Sequence, residues 1–185
     1  QRHHRRRTEK PDIDAGRGAK MAAEAGAPFF TDHKTMLKQT KPDVLVICTP
    51  HTFHADYALD GFNAGCHVLS EKPMAIAVSE ADKMIAAAEK SGRILAVNFQ
   101  QRFRASVEKV KELIGGGAIG PLIRVLSIEP WFRPEVYFRQ STWRGTWNGE
   151  GGGVLLNQAP HSLDLLCYLA GEPTKVWGWV RTKHH

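Results

Sequence analysis

Short apolar runs separated by longer mixed segments dominate the first half of the chain. Such runs cover residues 44–48, 67–70 and 94–97. This pattern is typical of strands that are buried on both faces of a sheet. The segment between the first two runs is long enough for about three turns of helix, and a helical crossover makes the two strands parallel. The pattern therefore predicts an α/β fold with a partial, Rossmann-like parallel sheet.

The pattern changes in the second half of the chain. Residues 122–129 and 175–182 are predicted to form longer, partly exposed strands, because their side chains alternate in character. Between them lie a Trp-rich loop and a helix predicted over residues 158–170. We expect this half to form part of a second α/β domain with a mainly antiparallel open sheet.

The two patterns together predict the domain organisation. A basic leader covers residues 1–10, a partial dinucleotide-binding domain covers residues 11–102, and a partial C-terminal substrate domain covers residues 103–185. The predicted boundary falls where the pattern changes from short apolar runs, typical of parallel strands, to longer alternating segments, typical of antiparallel strands.

Polar residues follow two of the predicted strands at their carboxyl ends, where open parallel sheets bind ligands. Thr49 and Pro50 follow the first strand, and Glu71 and Lys72 end the second. Lys72, held by the proline that follows it, can point into a crevice and donate to a substrate oxygen. Glu71 can pair with that lysine or with the ribose of a cofactor. A surface ion pair at a turn is the structural alternative for the same two residues.

The run of residues 151–164 begins with three glycines, which let the backbone pass close to a ligand or to another segment. Asn157 and His161 are four residues apart, so they share one helix face if the helix begins that early. Asp164 is three residues further on and is placed to orient the imidazole. A lone helical histidine is usually structural, but one in a first turn beside glycines and an amide is a candidate acid or base.

A Trp-rich loop precedes the glycines. Arg144 can clamp an anionic or polyhydroxyl group, and the ring of Trp143 can stack on a sugar or a nicotinamide. An aromatic loop packed on the second domain explains the same residues equally well. The loop therefore leaves both alternatives open.

Glycine patterns elsewhere do not form a phosphate-binding loop. Residues 115–120 match G-x-G-x-x-G, but they follow a predicted helix and lead into a predicted strand. A dinucleotide fingerprint must follow a strand and open a helix, so that backbone N–H groups meet the pyrophosphate. We interpret residues 115–120 as a helix-to-strand turn.

Charge and cysteine content narrow the class of protein. The net charge is +6, and residues 1–10 account for most of it, leaving 20 basic and 18 acidic residues in the rest. That balance, without a basic stripe, predicts no nucleic-acid partner. No apolar run has the length of a membrane span, so we expect no membrane segment. The three cysteines, Cys48, Cys66 and Cys167, lie in apolar contexts without metal spacing, and they predict buried thiols, no metal site and a cytoplasmic location.

Three motifs taken together resemble the Gfo/Idh/MocA family of oxidoreductases, which includes glucose–fructose oxidoreductase and inositol dehydrogenase. These motifs are residues 46–50 with His54, residues 64–73 with their Glu-Lys-Pro end, and the glycine-led run 151–164. The resemblance extends over residues 12–185. It implies an NAD(P)-binding Rossmann domain, an α/β domain with a large open sheet, and hydride transfer between NAD or NADP and a sugar, cyclitol or related alcohol.

The resemblance also implies roles for single residues. By motif, Lys72 corresponds to the catalytic lysine of the family and His161 to its catalytic histidine. Asn157 stands where the family often has Asp, and an amide cannot accept a proton, yet we count it with the catalytic candidates. Asp12 resembles the acid that meets the adenosine ribose, with Asp14 as the fallback. The other expected cofactor contacts are Thr49, Pro50, His54, Glu71, Lys72, Trp143 and Arg144.

Two departures from the family pattern lead us to expect a fragment of a longer protein. The first strand with its glycine loop is not seen, and the second domain is expected to continue past residue 185. We expect the whole protein to be a homo-oligomer that acts on a small-molecule sugar or polyol. The alternatives are an NAD-dependent glycosidase of the same family and a non-catalytic truncated fragment.

Overall fold

The structure is a computed structural model that describes residues 15–181, apart from the side chain of Arg17. The basic leader, Asp12 and Asp14 lie outside the described residues, as does the end of the strand predicted at residues 175–182. Within the described part, the helices and strands follow one another in an α/β order.

Three parallel strands form the sheet of the described residues. The strands are β1 (Val44–Ile47), β2 (His67–Glu71) and β3 (Leu95–Asn98), in the spatial order β1-β2-β3. In register, Ile47 lies opposite Ser70, and Glu71 lies opposite Asn98. All three carboxyl ends therefore meet at one edge of the sheet. The predicted α/β fold with a parallel sheet is confirmed.

Helices make up most of the remaining regular structure. They are α1 (Ala15–Ala25), α2 (His33–Thr40), α3 (His54–Asn63), α4 (Val78–Ser91), α5 (Ala105–Gly115), α6 (Glu135–Arg139), α7 (Trp147–Glu150), α8 (Val154–Asn157) and α9 (Pro160–Ala170). Two 3-10 helices cover His51–Phe53 and Gln100–Phe103. The second of these lies at the domain boundary predicted between residues 102 and 103.

The core lies between the sheet and the helices α3 and α4. Ile47 and Val68 of the sheet are almost fully buried, as are Ala58 and Phe62 of α3 and Met84 of α4. This apolar interface holds the crossover against the strands, which fixes where their carboxyl ends point.

Burial along β1 differs from the expectation of a strand covered on both faces. Leu45 and Ile47 are buried, whereas Val44 is 50 % and Val46 is 57 % exposed. The exposed pair lines an open hollow together with Phe30 and Met36. The reason is that β1 is an edge strand of the described sheet, and α3 covers only one of its faces.

The two strands predicted beyond residue 120 do not form within the described part of the chain. Residues 121–134 and 172–181 contain no strand, and Ile123 and Trp177 are 97 % and 90 % exposed. Alternating side chains favour a strand, but a strand forms only where another strand supplies its backbone hydrogen bonds. The described residues offer these two segments no such partner.

Candidate active site

The edge at the carboxyl ends of the strands collects polar groups. Asn98 Nδ2 donates to Glu71 Oε1 at 2.7 Å, which ties the end of β3 to the end of β2. Thr49 and Pro50 lie between β1 and the 3-10 helix His51–Phe53. The Oγ1 atom of Thr49 is buried and has no hydrogen-bond partner among the described residues. An orphaned hydroxyl at this edge fits a polar ligand placed there.

Lys72 reaches from the end of β2 to the glycine-led run. Its Nζ donates to the backbone oxygen of Asn157 and lies 3.5 Å from the side-chain Oδ1 of the same residue. Burial lowers the pKa of Lys72, and the carboxylates of Glu71 and Glu150 oppose that effect. An ammonium has three N–H donors, so one remains for a substrate oxygen after both Asn157 contacts.

Glu150 is a buried acid that sequence reasoning missed. It ends α7, is 4 % exposed, and accepts a hydrogen bond on Oε1 from the Nδ2 of Asn157. Burial raises the pKa of Glu150, while a hydrogen bond from the Gly145 backbone and the charge of Arg144 act against it. The only sequence signal was a single acid directly before three glycines.

Two glycines are required where this acid is held. A Cβ at Gly149 would lie 2.5 Å from the Cβ of Trp143, and a Cβ at Gly151 would lie 2.5 Å from the Cβ of Ile76. Gly151 also has φ +74°, a left-handed conformation that side chains disfavour. The glycines thus let the chain pass close to Trp143 and Ile76, with Glu150 between them.

His161 occupies the first turn of α9. Its Nδ1 is buried without a hydrogen-bond partner among the described residues, and its ring meets that of Phe99 edge-on at 6.0 Å. Burial lowers the pKa of His161, and the charge of Lys72 lowers it further, against Glu71 and Asp164. The imidazole is therefore neutral near pH 7 and able to accept a proton.

Asn157 and His161 do not share a helix as the spacing suggested. Asn157 ends α8, and α9 begins at Pro160, so the predicted helix over 158–170 starts later and the two residues lie on separate helices. Asn157 is 4 % exposed, and its side chain forms hydrogen bonds with Lys72 and Glu150 rather than with the imidazole.

Asp164 does not orient His161 through a hydrogen bond. Its carboxylate accepts from Arg102 at both oxygens, with 2.8 Å between Arg102 Nε and Oδ2. The planar guanidinium matches two carboxylate oxygens at once, and this geometry outcompetes a single imidazole contact. Arg102 also stacks on Tyr168 at 4.8 Å, so the pair fixes α9 against the 3-10 helix Gln100–Phe103.

His54 has a structural position instead of the expected contact with a cofactor. It is fully buried, its Nδ1 lies 2.7 Å from the oxygen of Pro73, and its Nε2 lies 2.9 Å from the oxygen of Thr49. Both ring nitrogens therefore face backbone carbonyls. The imidazole joins the segment after β1 to the segment after β2, and no ring nitrogen is left for a ligand.

A second histidine, His51, also went unnoticed in the sequence. Its Nδ1 donates to the backbone oxygen of Glu150 at 3.0 Å, and its ring meets Trp143 edge-on at 5.4 Å. Burial lowers the pKa of His51 to about 4. The contact bridges 99 residues of sequence, so no local pattern could have indicated it.

The Trp-rich loop is packed against its own neighbours. The guanidinium of Arg144 lies over the rings of Tyr137 and Trp143, at 4.5 Å and 4.8 Å from their centroids, and donates to the Tyr137 hydroxyl. This supports the packed-loop alternative for the aromatic faces. The positive charge of Arg144 still lies near the site, because it acts to lower the pKa values of Lys72 and His51 and opposes the raised pKa of Glu150.

Other kinds of site are not found in the described part of the chain. Residues 15–181 contain no cluster of three metal-ligating side chains, and none of their helices is long and apolar enough to cross a membrane. Residues 115–120 do follow a helix, α5, and then lead into residues without a strand. Over the same described range, no glycine-rich loop links a strand to a helix.

Comparison with known proteins decides the family. Residues 8–99 match the oxidoreductase family with an NAD-binding Rossmann fold, and residues 107–185 match the Gfo/Idh/MocA C-terminal domain. The chain belongs to the Gfo/Idh/MocA family. This confirms the resemblance drawn from the three motifs. The two matched regions lie on either side of the 3-10 helix Gln100–Phe103.

Several relatives of this Gfo/Idh/MocA chain are named dehydrogenases. It is 35 % identical over 154 residues to D-glucoside 3-dehydrogenase of Escherichia coli, covering 80 % of this chain and 41 % of that protein. It is 28 % identical over 145 residues to myo-inositol 2-dehydrogenase of Thermotoga maritima, covering 77 % and 40 %. The chain thus spans about two-fifths of the length of these curated relatives.

A solved structure shows the same fold. The WlbA dehydrogenase of Bordetella pertussis, in complex with NADH and UDP-GlcNAcA, superposes with a TM-score of 0.75 at 36 % identity. The match covers 83 % of this chain and 44 % of that one. The parallel sheet described here therefore belongs to the Rossmann fold of the matched family.

Proposed function

We propose that the protein carrying this chain is an NAD- or NADP-dependent dehydrogenase of a sugar, cyclitol or related alcohol. The observation that carries the proposal is the position of Lys72 at the carboxyl end of β2, with its ammonium on Asn157 and its charge acting on His161. The sugar and cyclitol dehydrogenases among the relatives support it.

His161 is the proposed base. Its neutral imidazole takes the proton of the substrate hydroxyl as the carbon–hydrogen bond breaks. The partnerless, buried Nδ1 means that no described residue competes for that nitrogen. A general base of this kind contributes roughly 10²–10⁴-fold to the rate.

Lys72 is the proposed stabiliser of the substrate oxygen. Its third N–H donor binds the oxygen that loses its proton, and its positive charge favours the developing negative charge there. The two contacts with Asn157 orient the ammonium before substrate arrives, so little rearrangement is needed during the reaction.

The cofactor side of the site lies along the strand ends. NAD or NADP, when bound, supplies the nicotinamide that accepts the hydride from the substrate carbon. Thr49, Pro50 and Glu71 are the described residues that we propose to hold it, and the orphaned hydroxyl of Thr49 fits that role. Asp12, outside the described residues, is proposed to meet the adenosine ribose. Trp143 and Arg144 are proposed to border the same cleft.

The location, oligomeric state and partners of the whole protein are further parts of the proposal. We propose that the whole protein acts in the cytoplasm as a homo-oligomer, on small molecules and without a nucleic-acid or membrane partner. Cys48, Cys66 and Cys167 are free thiols within the described residues, which supports a reducing compartment. The prediction that all three are buried is wrong for Cys48, which is exposed, and holds fully only for Cys66. Light scattering during gel filtration measures the oligomeric state.

The test is a turnover screen of the protein that carries this chain. NAD and NADP are each combined with sugars, cyclitols and polyols, and reduced cofactor is followed by its absorbance. We expect substrate-dependent reduction with one cofactor, with an oxidised product of unchanged carbon skeleton. Release of free sugar from a glycoside without net reduction would indicate the glycosidase alternative. Absence of cofactor binding would indicate a non-catalytic protein.

Lys72→Met is the matched probe of the site in that screen, with Lys109→Met as the control. Lys109 is an exposed lysine of α5 that pairs with Glu112, so its loss removes a charge without touching the site. We expect Lys72→Met to lose turnover by about 10²-fold or more and Lys109→Met to keep it. Equal turnover in the two variants would contradict the role of Lys72.

A further inference from the structure

Glu150 has no part in the proposed proton and hydride steps, yet it is buried and forms hydrogen bonds through both its side chain and its backbone. It is 4 % exposed, and its carboxylate accepts from the side chain of Asn157. Its backbone oxygen accepts from His51, and the hydroxyl of Thr146 caps the short helix by accepting from the Gly149 N–H at 3.1 Å. Burying a carboxylate is costly unless it is paired and hydrogen-bonded, so the contacts of Glu150 identify the groups that hold its charge.

The hydrogen bonds around Asn157 determine which way its amide points. A carboxylate only accepts hydrogen bonds and an ammonium only donates them. Glu150 therefore requires the amide nitrogen of Asn157, and Lys72 requires the amide oxygen. Both requirements select the same orientation, with Nδ2 on Glu150 and Oδ1 towards Lys72. If the carboxylate were absent, only the weaker 3.5 Å contact with Lys72 would select that orientation.

The charges around Lys72 show a second reason for this acid. The ammonium contacts Asn157 through neutral oxygens only, and two acids act on its charge: Glu71, which accepts from Asn98 and keeps its negative charge, and Glu150. Glu150 supplies the other negative charge. The charged or titratable groups that act on Lys72 or Glu150 are Glu71, Arg133, Arg144, His51 and His161.

We propose that Glu150 is a positioning residue of the site, which acts through Asn157 on Lys72. Its carboxylate fixes the amide so that the amide oxygen faces the ammonium, and it supplies the negative charge that an amide in this place lacks. The catalytic consequence rests on the proposed dehydrogenase function. The orientation and charge of Lys72 do not depend on that function.

The proposal makes an exchange of the two side chains informative. In Glu150→Gln, an amide faces an amide, so the orientation is no longer imposed and the charge is lost. In Asn157→Asp, two carboxylates meet and repel each other. In the double variant Glu150→Gln with Asn157→Asp, the new amide donates to the new carboxylate, whose other oxygen accepts from Lys72. Charge and pairing are then both restored.

The first readout needs neither cofactor nor substrate. Lysine labelled with ¹³C at Cε is titrated by NMR, and the Lys72 signal is assigned from its absence in Lys72→Arg. We expect the titration of Lys72 to move to lower pH in Glu150→Gln and to return towards the wild-type position in the double variant. Glu135→Gln is the control, since it removes an exposed acid that pairs with Arg139.

The second readout is turnover with the substrate found in the screen. We expect kcat/KM to fall at least about tenfold in Glu150→Gln, which is about 1.4 kcal/mol, and further in Asn157→Asp. The double variant should recover to within a few-fold of the wild type. Recovery beyond the sum of the single effects is what a direct pairing of the two residues produces.

Each outcome bears on the proposal separately from the dehydrogenase function. A Lys72 titration unchanged in Glu150→Gln overturns the proposal, whether or not the protein oxidises any sugar. A double variant no better than the single ones, in activity or in folding, overturns it as well. If Glu150→Gln does not fold, a folded double variant with a near wild-type Lys72 titration supports it. Absence of any substrate in the screen overturns only the dehydrogenase function.

Discussion

Gly151→Ala tests how closely the glycine-led run packs against Ile76, in the segment between β2 and α4. Gly151 has φ +74°, and a Cβ there would lie 2.5 Å from the Cβ of Ile76. The residues beside it offer matched comparisons, because they belong to the same run. A Cβ at Gly152 would lie 3.1 Å from the Cβ of Leu156, and a Cβ at Gly153 would meet nothing within 4 Å.

The magnitude follows from two costs. A left-handed φ costs an alanine about 1–2 kcal/mol, and forcing a methyl group into an occupied space costs about 1–3 kcal/mol. The loss of freedom in the unfolded chain returns about 0.4–1 kcal/mol. With the middle of each range, Gly151→Ala should lower the free energy of unfolding by about 3 kcal/mol. Gly153→Ala, with φ −92°, should change it by less than about 0.5 kcal/mol.

Thermal unfolding followed by circular dichroism measures the series. For a chain of this size, each kcal/mol shifts Tm by about 2–4 °C, so we expect a fall of at least about 4 °C for Gly151→Ala. Gly152→Ala should lie between the other two variants. A Tm for Gly151→Ala equal to that of Gly153→Ala would refute the close approach of Gly151 to Ile76.

Three further predictions concern charged and titrating side chains. Arg102→Gln breaks the two hydrogen bonds to the nearly buried carboxylate of Asp164 and should lower the free energy of unfolding, measured in urea, by about 1–3 kcal/mol. The control Arg139→Gln breaks an exposed pair and should lower it by under about 0.5 kcal/mol. Equal losses in the two variants would contradict the fixed position of α9. The pKa of His51 is lowered from 6.5 to about 4 in the folded chain. Between these two pH values, the His51 imidazole takes up a proton in the unfolded chain but not in the folded chain. The free energy of unfolding should therefore fall by up to about 3 kcal/mol as pH drops from about 6.5 to 4, and this share of the fall should vanish in His51→Gln. Because the pKa of His161 is lowered, kcat/KM should stay constant on the acid side until pH is below 6.5, and a loss already complete at that pH would exclude a neutral His161 as the base.

The parts of the fold that depend on local pattern could be predicted from the sequence. The apolar runs ending at Ile47, Glu71 and Asn98 are strands, and the segment between the first two is a helix. A contiguous apolar run between turn residues is sufficient to predict such elements. The segments around Ile123 and Trp177 carry an equally regular alternation, but a partner strand decides their structure, and the sequence alone does not show whether one is present.

The candidate site could be predicted only where strand ends locate residues. Lys72 and Thr49 lie just beyond the ends of β2 and β1, and the sequence predicts this location because parallel strands share one edge. Glu150 was missed because its burial depends on the turn at Gly151 and on a contact with His51, which is far away in sequence. Spacing alone linked Asp164 to His161, but the carboxylate of Asp164 pairs with the guanidinium of Arg102, which belongs to another segment.

Asn157→Asp shows how the structure changes an expectation. If Asn157 only orients the substrate or His161, this substitution in the full-length protein would change turnover by no more than about tenfold. The buried carboxylate of Glu150 lies against that side chain, so a second carboxylate is repelled unless one of the two takes up a proton. We therefore expect a larger loss, and kinetics of Asn157→Asp beside Asn157→Ser separate repulsion from loss of the amide.

The central claim is that Lys72 and His161 converge on one oxygen of the substrate. The most direct measurement is a crystal structure of the protein carrying this chain, with its cofactor and the substrate identified by turnover. The account predicts that Lys72 Nζ and one ring nitrogen of His161 each lie within about 3.2 Å of the same substrate oxygen. A complex in which the two side chains contact different groups, or face separate surfaces, would contradict it.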